Sequence, residues 1–189
     1  GQPTQVQPIT VKPVISKHPT QLDTGNLPNV MVFFGTGQYL TEADKTTTDN
    51  HTFYGVWDRG DYGLQRTDLQ EQEILGGTSV NGVAVDVVTD TAVNYDGPDA
   101  DGARQYGWYL GLPDTGERVV VDAVLYGGNV LFNSLVPELA NVCTGGGSGF
   151  FYALDMVNGG RPDAAPFDVD QDQSVNNADL VSVVSDAGD

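Results

Sequence analysis

The chain has 189 residues, 39% of them hydrophobic, which suits one domain with a packed core and argues against disorder throughout. Its 24 glycines and 10 prolines make turns frequent and long helices scarce, so an all-β chain is expected. Eight basic against 26 acidic residues leave a net charge of -18, a field that repels phosphate backbones and anionic lipid and so disfavours nucleic acid and membrane surfaces as partners.

No apolar run approaches the roughly 20 residues of a membrane span, and Gly1-Gln2-Pro3 opens without a basic then apolar leader. A soluble mature piece without membrane insertion is therefore expected, and low lysine with abundant aspartate suits a secreted bacterial protein. Cys143, alone in the chain, is either a buried thiol or half of a bridge to a partner outside it.

Residues 1–29 hold Pro3, Pro8, Pro13, Pro19 and Pro28, which exclude a helix and predict an extended arm with one edge strand at Ile9-Thr10-Val11-Lys12. Val30 to Phe34 followed by Gly35-Thr36-Gly37 reads as a buried strand and turn. Thr52 to Asp58, aromatic and β-branched, reads as a second strand paired with it. Leu64 to Leu75 fits either a strand and turn or a short helix. Val83, Val85 and Val87 alternate with Ala84, Asp86 and Val88, the period of a half-buried strand. Beyond the loop at 96–104, Tyr106 to Leu112, Glu117 to Leu125 and Asn129 to Leu135 give strands about ten residues apart, the spacing of a sandwich, barrel or propeller.

Gly149-Phe150-Phe151-Tyr152-Ala153-Leu154-Asp155 followed by Asn158-Gly159-Gly160 is similar to the strand and turn of pyrroloquinoline-type propeller blades. With Gly35 to Leu40, Phe53 to Asp58, Tyr106 to Leu110, Gly116 to Val119, Phe132 to Pro137 and Cys143 before Gly145-Gly146, it makes an ordered set. On these motifs, from about Pro8 to Asp179, the chain resembles the C-terminal β-propeller of PilY/PilC-type pilus-tip proteins. The resemblance implies a quinoprotein-like β-propeller, or part of one, over residues 1–165, in a surface-exposed type IV pilus biogenesis and adhesion factor. It also implies a place at the bacterial cell surface, the pilus tip or the outer membrane. The partners it implies are minor pilins or the rest of the same propeller, together with host-cell or surface ligands.

Residues 166–189 carry a second signal, read as an insertion within that propeller. Asp168, Asp170, Asp172 and Asp179 stand at positions one, three, five and twelve of an EF-hand-like loop. Calcium takes about 6–8 oxygens, and alternate residues of a tight loop turn their carboxylates to one centre, with the Ser174 carbonyl at position seven and Asn176 at nine holding a water. A short helix from Ala178 to about Ser185 would bring Asp179 in to close the shell. Gln173 stands where glycine is usual, and Asp179 is shorter than the usual glutamate, so magnesium stays open beside Ca2+. The competing reading is a solvated acidic tail, against which apolar Val175 and the run from Leu180 to Val184 argue.

Arg59-Gly60-Asp61, directly after a strand, reads as a hairpin turn, and also as an adhesion tripeptide if both charged groups stand exposed. His18 and His51 offer neither metal-ligand spacing nor a base beside a nucleophile, so no enzyme is expected. The alternative class is a quinoprotein-like enzyme holding a quinone with calcium; near-ultraviolet and visible absorbance of the purified protein separates the two. Trp57 and Trp108 read as core residues in preference to a ligand platform.

Overall fold

A computed structural model describes residues 6–20, 28–60, 63–97, 103–138 and 147–180. Among these residues, twelve strands, β1 (Val14–Lys17), β2 (Val30–Gly35), β3 (Thr52–Asp58), β4 (Gln70–Gln72), β5 (Ile74–Val80), β6 (Val83–Val88), β7 (Gly107–Gly111), β8 (Val124–Tyr126), β9 (Asn129–Asn133), β10 (Val136–Pro137), β11 (Gly147–Ser148) and β12 (Phe151–Asp155), form four sheets. The only helical segments among the described residues are three short 3-10 turns, at Glu42–Thr46, Arg66–Asp68 and Asn177–Asp179. The fold is all-β, as expected from the glycine and proline content.

The largest sheet runs β1-β2-β3-β7-β4, antiparallel except for the parallel pairing of β4 with β7. The expected pairing of the second strand with the first holds, with Phe33 opposite Gly55 and Met31 opposite Trp57. Period-two alternation puts Met31, Phe33, Phe53, Trp57, Trp108 and Leu110 into one core. A second sheet, β12-β9-β8, adds Val130, Phe132, Tyr152 and Leu154 to it. The rings of Phe53 and Phe132 stack with centroids 3.8 Å apart and Phe132 stacks on Tyr152 at 4.6 Å, so one aromatic column joins the two sheets.

Two expected strands are displaced. At the amino-terminal arm Ile9 makes only an isolated bridge to Gly37, and the edge strand lies five residues further on, at Val14–Lys17, beyond Pro13, which has no N–H for a ladder. The Glu117 to Leu125 stretch forms a single bridge, Arg118 to Leu135, before the short β8. The reason is Arg118, whose side chain turns into the protein. Its Nε donates to the Gly116 carbonyl at 2.8 Å, and its other nitrogens donate to the carbonyls of Gln38, Asp44 and Thr47 at 3.0, 2.8 and 2.8 Å. Trp57 and Trp108 are core residues, 2% and 0% exposed.

His18 is buried against Trp57 and Tyr95, with ring centroids 4.9 and 4.3 Å away. Burial lowers its pKa from 6.5 to about 4. The unfolded chain therefore takes up this proton near pH 6.5 and the folded chain only near 4, so stability is complete above 6.5 and falls between the two values. Asp44 adds a second loss further down, because the N–H groups of Leu40 and Thr41, with Gln38, hold its carboxyl at about 2. Melting from pH 7 to pH 4 should lose on the order of 1–3 kcal/mol through His18, and His18→Phe should flatten that slope.

Candidate metal centre

The segment after β12 returns through Arg161 and Pro162 to Phe167, whose ring meets Phe151 at 4.9 Å and anchors the acidic loop to the second sheet. Alternation along the loop turns the carboxylates of Asp168, Asp170 and Asp172 to one side, with one oxygen of each within 4.8 Å of the others. Local bonds shape this turn. The Asp172 N–H donates to Asp168 and Asp170 at 3.1 Å each, the Gln173 N–H to Asp168 at 2.8 Å, and the Ser174 N–H to Asp172 at 2.8 Å.

Gln173 does take the left-handed conformation that the sixth position requires, at φ 72°, and Gln171 takes it too, at φ 63°. Two non-glycine residues in that region cost of order 1 kcal/mol or more each. The loop thus makes a left-handed turn at its sixth position without a glycine there.

Asp179 sits elsewhere than expected. It is 3% exposed, and its carboxylate accepts N–H bonds from Val169, Asp170 and Asn176 at 2.7, 3.0 and 2.9 Å. These N–H groups, those of Asn176 and Asp170 foremost, hold it below the ordinary carboxylate range. Asp179 clamps the two ends of the loop together and is not brought to the three-carboxylate cluster. Asn176 is likewise engaged, capping the following turn through the Ala178 N–H at 2.8 Å, while its amide donates to the Ser174 carbonyl at 3.3 Å. The expected helix is a single 3-10 turn, Asn177–Asp179, after which Leu180 is already extended; residues 181–185 lie outside the described residues.

The donor set fits a hard divalent cation. Three carboxylates with an oxygen of each within 4.8 Å of the others are oxygen ligands of the kind calcium takes. The Asp172 N–H holds Asp170 down, yet burial and the charges of Asp172, Asp179 and Asp168 outweigh it and raise its pKa above the usual value. Two arms of the sequence reading fall elsewhere. The Arg59 guanidinium lies 5.0 Å from the centre of the Trp57 ring and is partly buried, and the Gly60 N–H closes a turn on Asp58 at 2.9 Å; Asp61 and Cys143 lie outside the described residues.

Comparison with known proteins places the fold. Residues 2–91 match the family model of the PilY1 beta-propeller domain. A type IV pilus biogenesis factor PilY1 homolog of Xylella fastidiosa is 30% identical over 146 residues, covering 74% of this chain and 9% of that protein. The type IV pilus biogenesis factor PilY1 of Pseudomonas aeruginosa is 29% identical over 184 residues, covering 86% of this chain and 15% of that protein. The chain thus spans less than a sixth of the length of either. The crystal structure of the Pseudomonas aeruginosa PilY1 C-terminal domain superposes with a TM-score of 0.72 at 28% identity, over 90% of this chain and 35% of that one. Its ordered motifs, its all-β architecture and these matches establish that the chain belongs to the PilY1 family, in the region of the C-terminal β-propeller domain.

Proposed function

We propose that this region is a calcium-binding β-propeller module of a type IV pilus protein at the bacterial surface, serving pilus biogenesis and adhesion and carrying out no catalysis. The observation that carries the metal reading is the convergence of Asp168, Asp170 and Asp172 within 4.8 Å on a loop that has taken the left-handed turn at Gln173. That the relatives are named type IV pilus biogenesis factors supports the pilus reading. Its partners on this reading are minor pilins or the remainder of the propeller, with surface ligands as the adhesive targets.

Calcium binding to the folded chain should raise its stability by about 2.7 kcal/mol when calcium exceeds Kd a hundredfold, and EDTA should remove that gain. Asp170→Ala should abolish the calcium effect while leaving the EDTA melting point unchanged or higher, because it relieves repulsion in the cluster. Asp179→Ala should lower the melting point in both conditions, since it releases three main-chain N–H groups. In cells, Asp170→Ala in the full-length protein should alter the number of surface pili; pilus counts equal to wild type at all calcium levels would remove the link between this loop and biogenesis.

A further inference from the structure

The hairpin β5–β6 ends in Asn81-Gly82, with φ of 48° and 83°, the left-handed pair of a type I′ turn. From this tip the Asn81 side-chain amide donates to the main-chain carbonyl of Asp170, 89 residues away. Among the described residues, every other hydrogen bond of residues 168–180 is internal to the loop: Asp179 to the N–H groups of 169, 170 and 176, Asp168 and Asp172 to their neighbours, Asn176 to 174 and 178. Among the described residues, one amide therefore carries the loop's polar attachment to the rest of the protein. β6 of the same hairpin lines a cleft of about 460 Å³ together with β12 and the loop residues Phe167, Asp168, Val169, Asp179 and Leu180. Asn81 joins the tip of that hairpin to the loop.

We propose that Asn81 is a positioning residue for the acidic loop, a latch that holds Asp170 in its cation-binding arrangement from outside the loop. The geometry leaves both tasks open to Asp170 at once. A cation of this kind takes the side-chain carboxylate at the third position, whereas Asn81 takes the main-chain carbonyl of the same residue. A loop already fixed at its third position loses less conformational freedom when the cation arrives, which raises affinity. The coupling is reciprocal: an occupied loop presents the Asp170 carbonyl more steadily and holds the β5–β6 hairpin to the cleft more tightly. The latch as a cation device rests on the calcium reading above; the contact itself does not.

Asn81→Gly tests the contact, because glycine suits φ 48° and carries no side-chain donor. Two measurements on the 189-residue chain decide the matter. Hydrogen exchange in EDTA should show faster exchange at 168–176 in Asn81→Gly than in wild type, with the core strands β2, β3 and β7 unchanged. Calorimetric titration with calcium chloride should show binding about 2- to 10-fold weaker in the variant, the span of one net hydrogen bond. Equal exchange in the two proteins overturns the latch. Faster exchange with equal calcium affinity overturns its role as a positioning residue while leaving the contact. If the wild type takes up no calcium, the metal reading fails, and the exchange comparison still decides whether Asn81 holds the loop.

Discussion

Replacing Arg118 with methionine is expected to lower the unfolding free energy by about 3–5 kcal/mol, a shift in melting temperature on the order of 10 °C for a chain of this size. The guanidinium is fully buried and spends its donors on four main-chain carbonyls, those of Gly116, Gln38, Asp44 and Thr47. Those carbonyls belong to the turn before Arg118 and to the segment linking β2 with β3, so one side chain ties two otherwise irregular loops together. Methionine fills similar volume but leaves the carbonyls without these partners, and each unsatisfied buried acceptor costs about 1–3 kcal/mol. Burial pulls the Arg118 pKa down, while Asp44 and Asp49 pull it back, so the charge is retained. Arg118→Lys should recover little, since an ammonium cannot spread its donors over four carbonyls in a plane. Denaturant melting of the three proteins reads the result; a loss below about 1 kcal/mol in Arg118→Met would show that water replaces the lost bonds.

The second large effect is at the contact between Trp108 and two glycines. A Cβ on Gly55 would lie 2.4 Å from Trp108 Cε2, and one on Gly159 would lie 2.1 Å from Trp108 Cδ2. The indole is thus wedged between β3 and the turn after β12, with its Nε1 donating to the Met156 carbonyl at 3.3 Å. Gly159 also has φ +73°, so alanine there meets backbone strain and a steric overlap together. Gly159→Ala should cost about 3 kcal/mol or more. In a Trp108→Leu background the overlap disappears, and the added cost should fall to the roughly 1 kcal/mol of the backbone alone. Additive losses in the double variant would show that the glycine is required by the turn and not by the tryptophan.

The strands that build the core were legible because their apolar residues alternate: Met31 and Phe33, Phe53 and Trp57, Val130 and Phe132, Tyr152 and Leu154 fall on one face each. Gly127-Gly128 and Asn158-Gly159-Gly160 likewise marked real turns. Arg118 was not legible, since a charged residue in an alternating run reads as facing solvent, and only the four carbonyls gathered from distant loops make its burial stable. The acidic loop was half legible. Aspartates at alternate positions announced the cluster, but an aspartate at the twelfth position has the same spacing whether it faces a cation or backbone N–H groups; its burial against Val169, Asp170 and Asn176 separates the two. Asn81 had a local signal as an Asn-Gly turn, yet nothing in sequence couples it to a carbonyl 89 residues later.

The most direct test of the calcium reading is a calorimetric titration of the wild-type chain with calcium chloride, run beside Asp170→Ala. The account predicts uptake of one calcium per chain by the wild type and none by the variant, with the three carboxylates of Asp168, Asp170 and Asp172 as the site. A wild-type chain that takes up no calcium at millimolar concentration, or an Asp170→Ala variant that binds it as well as wild type, would contradict it.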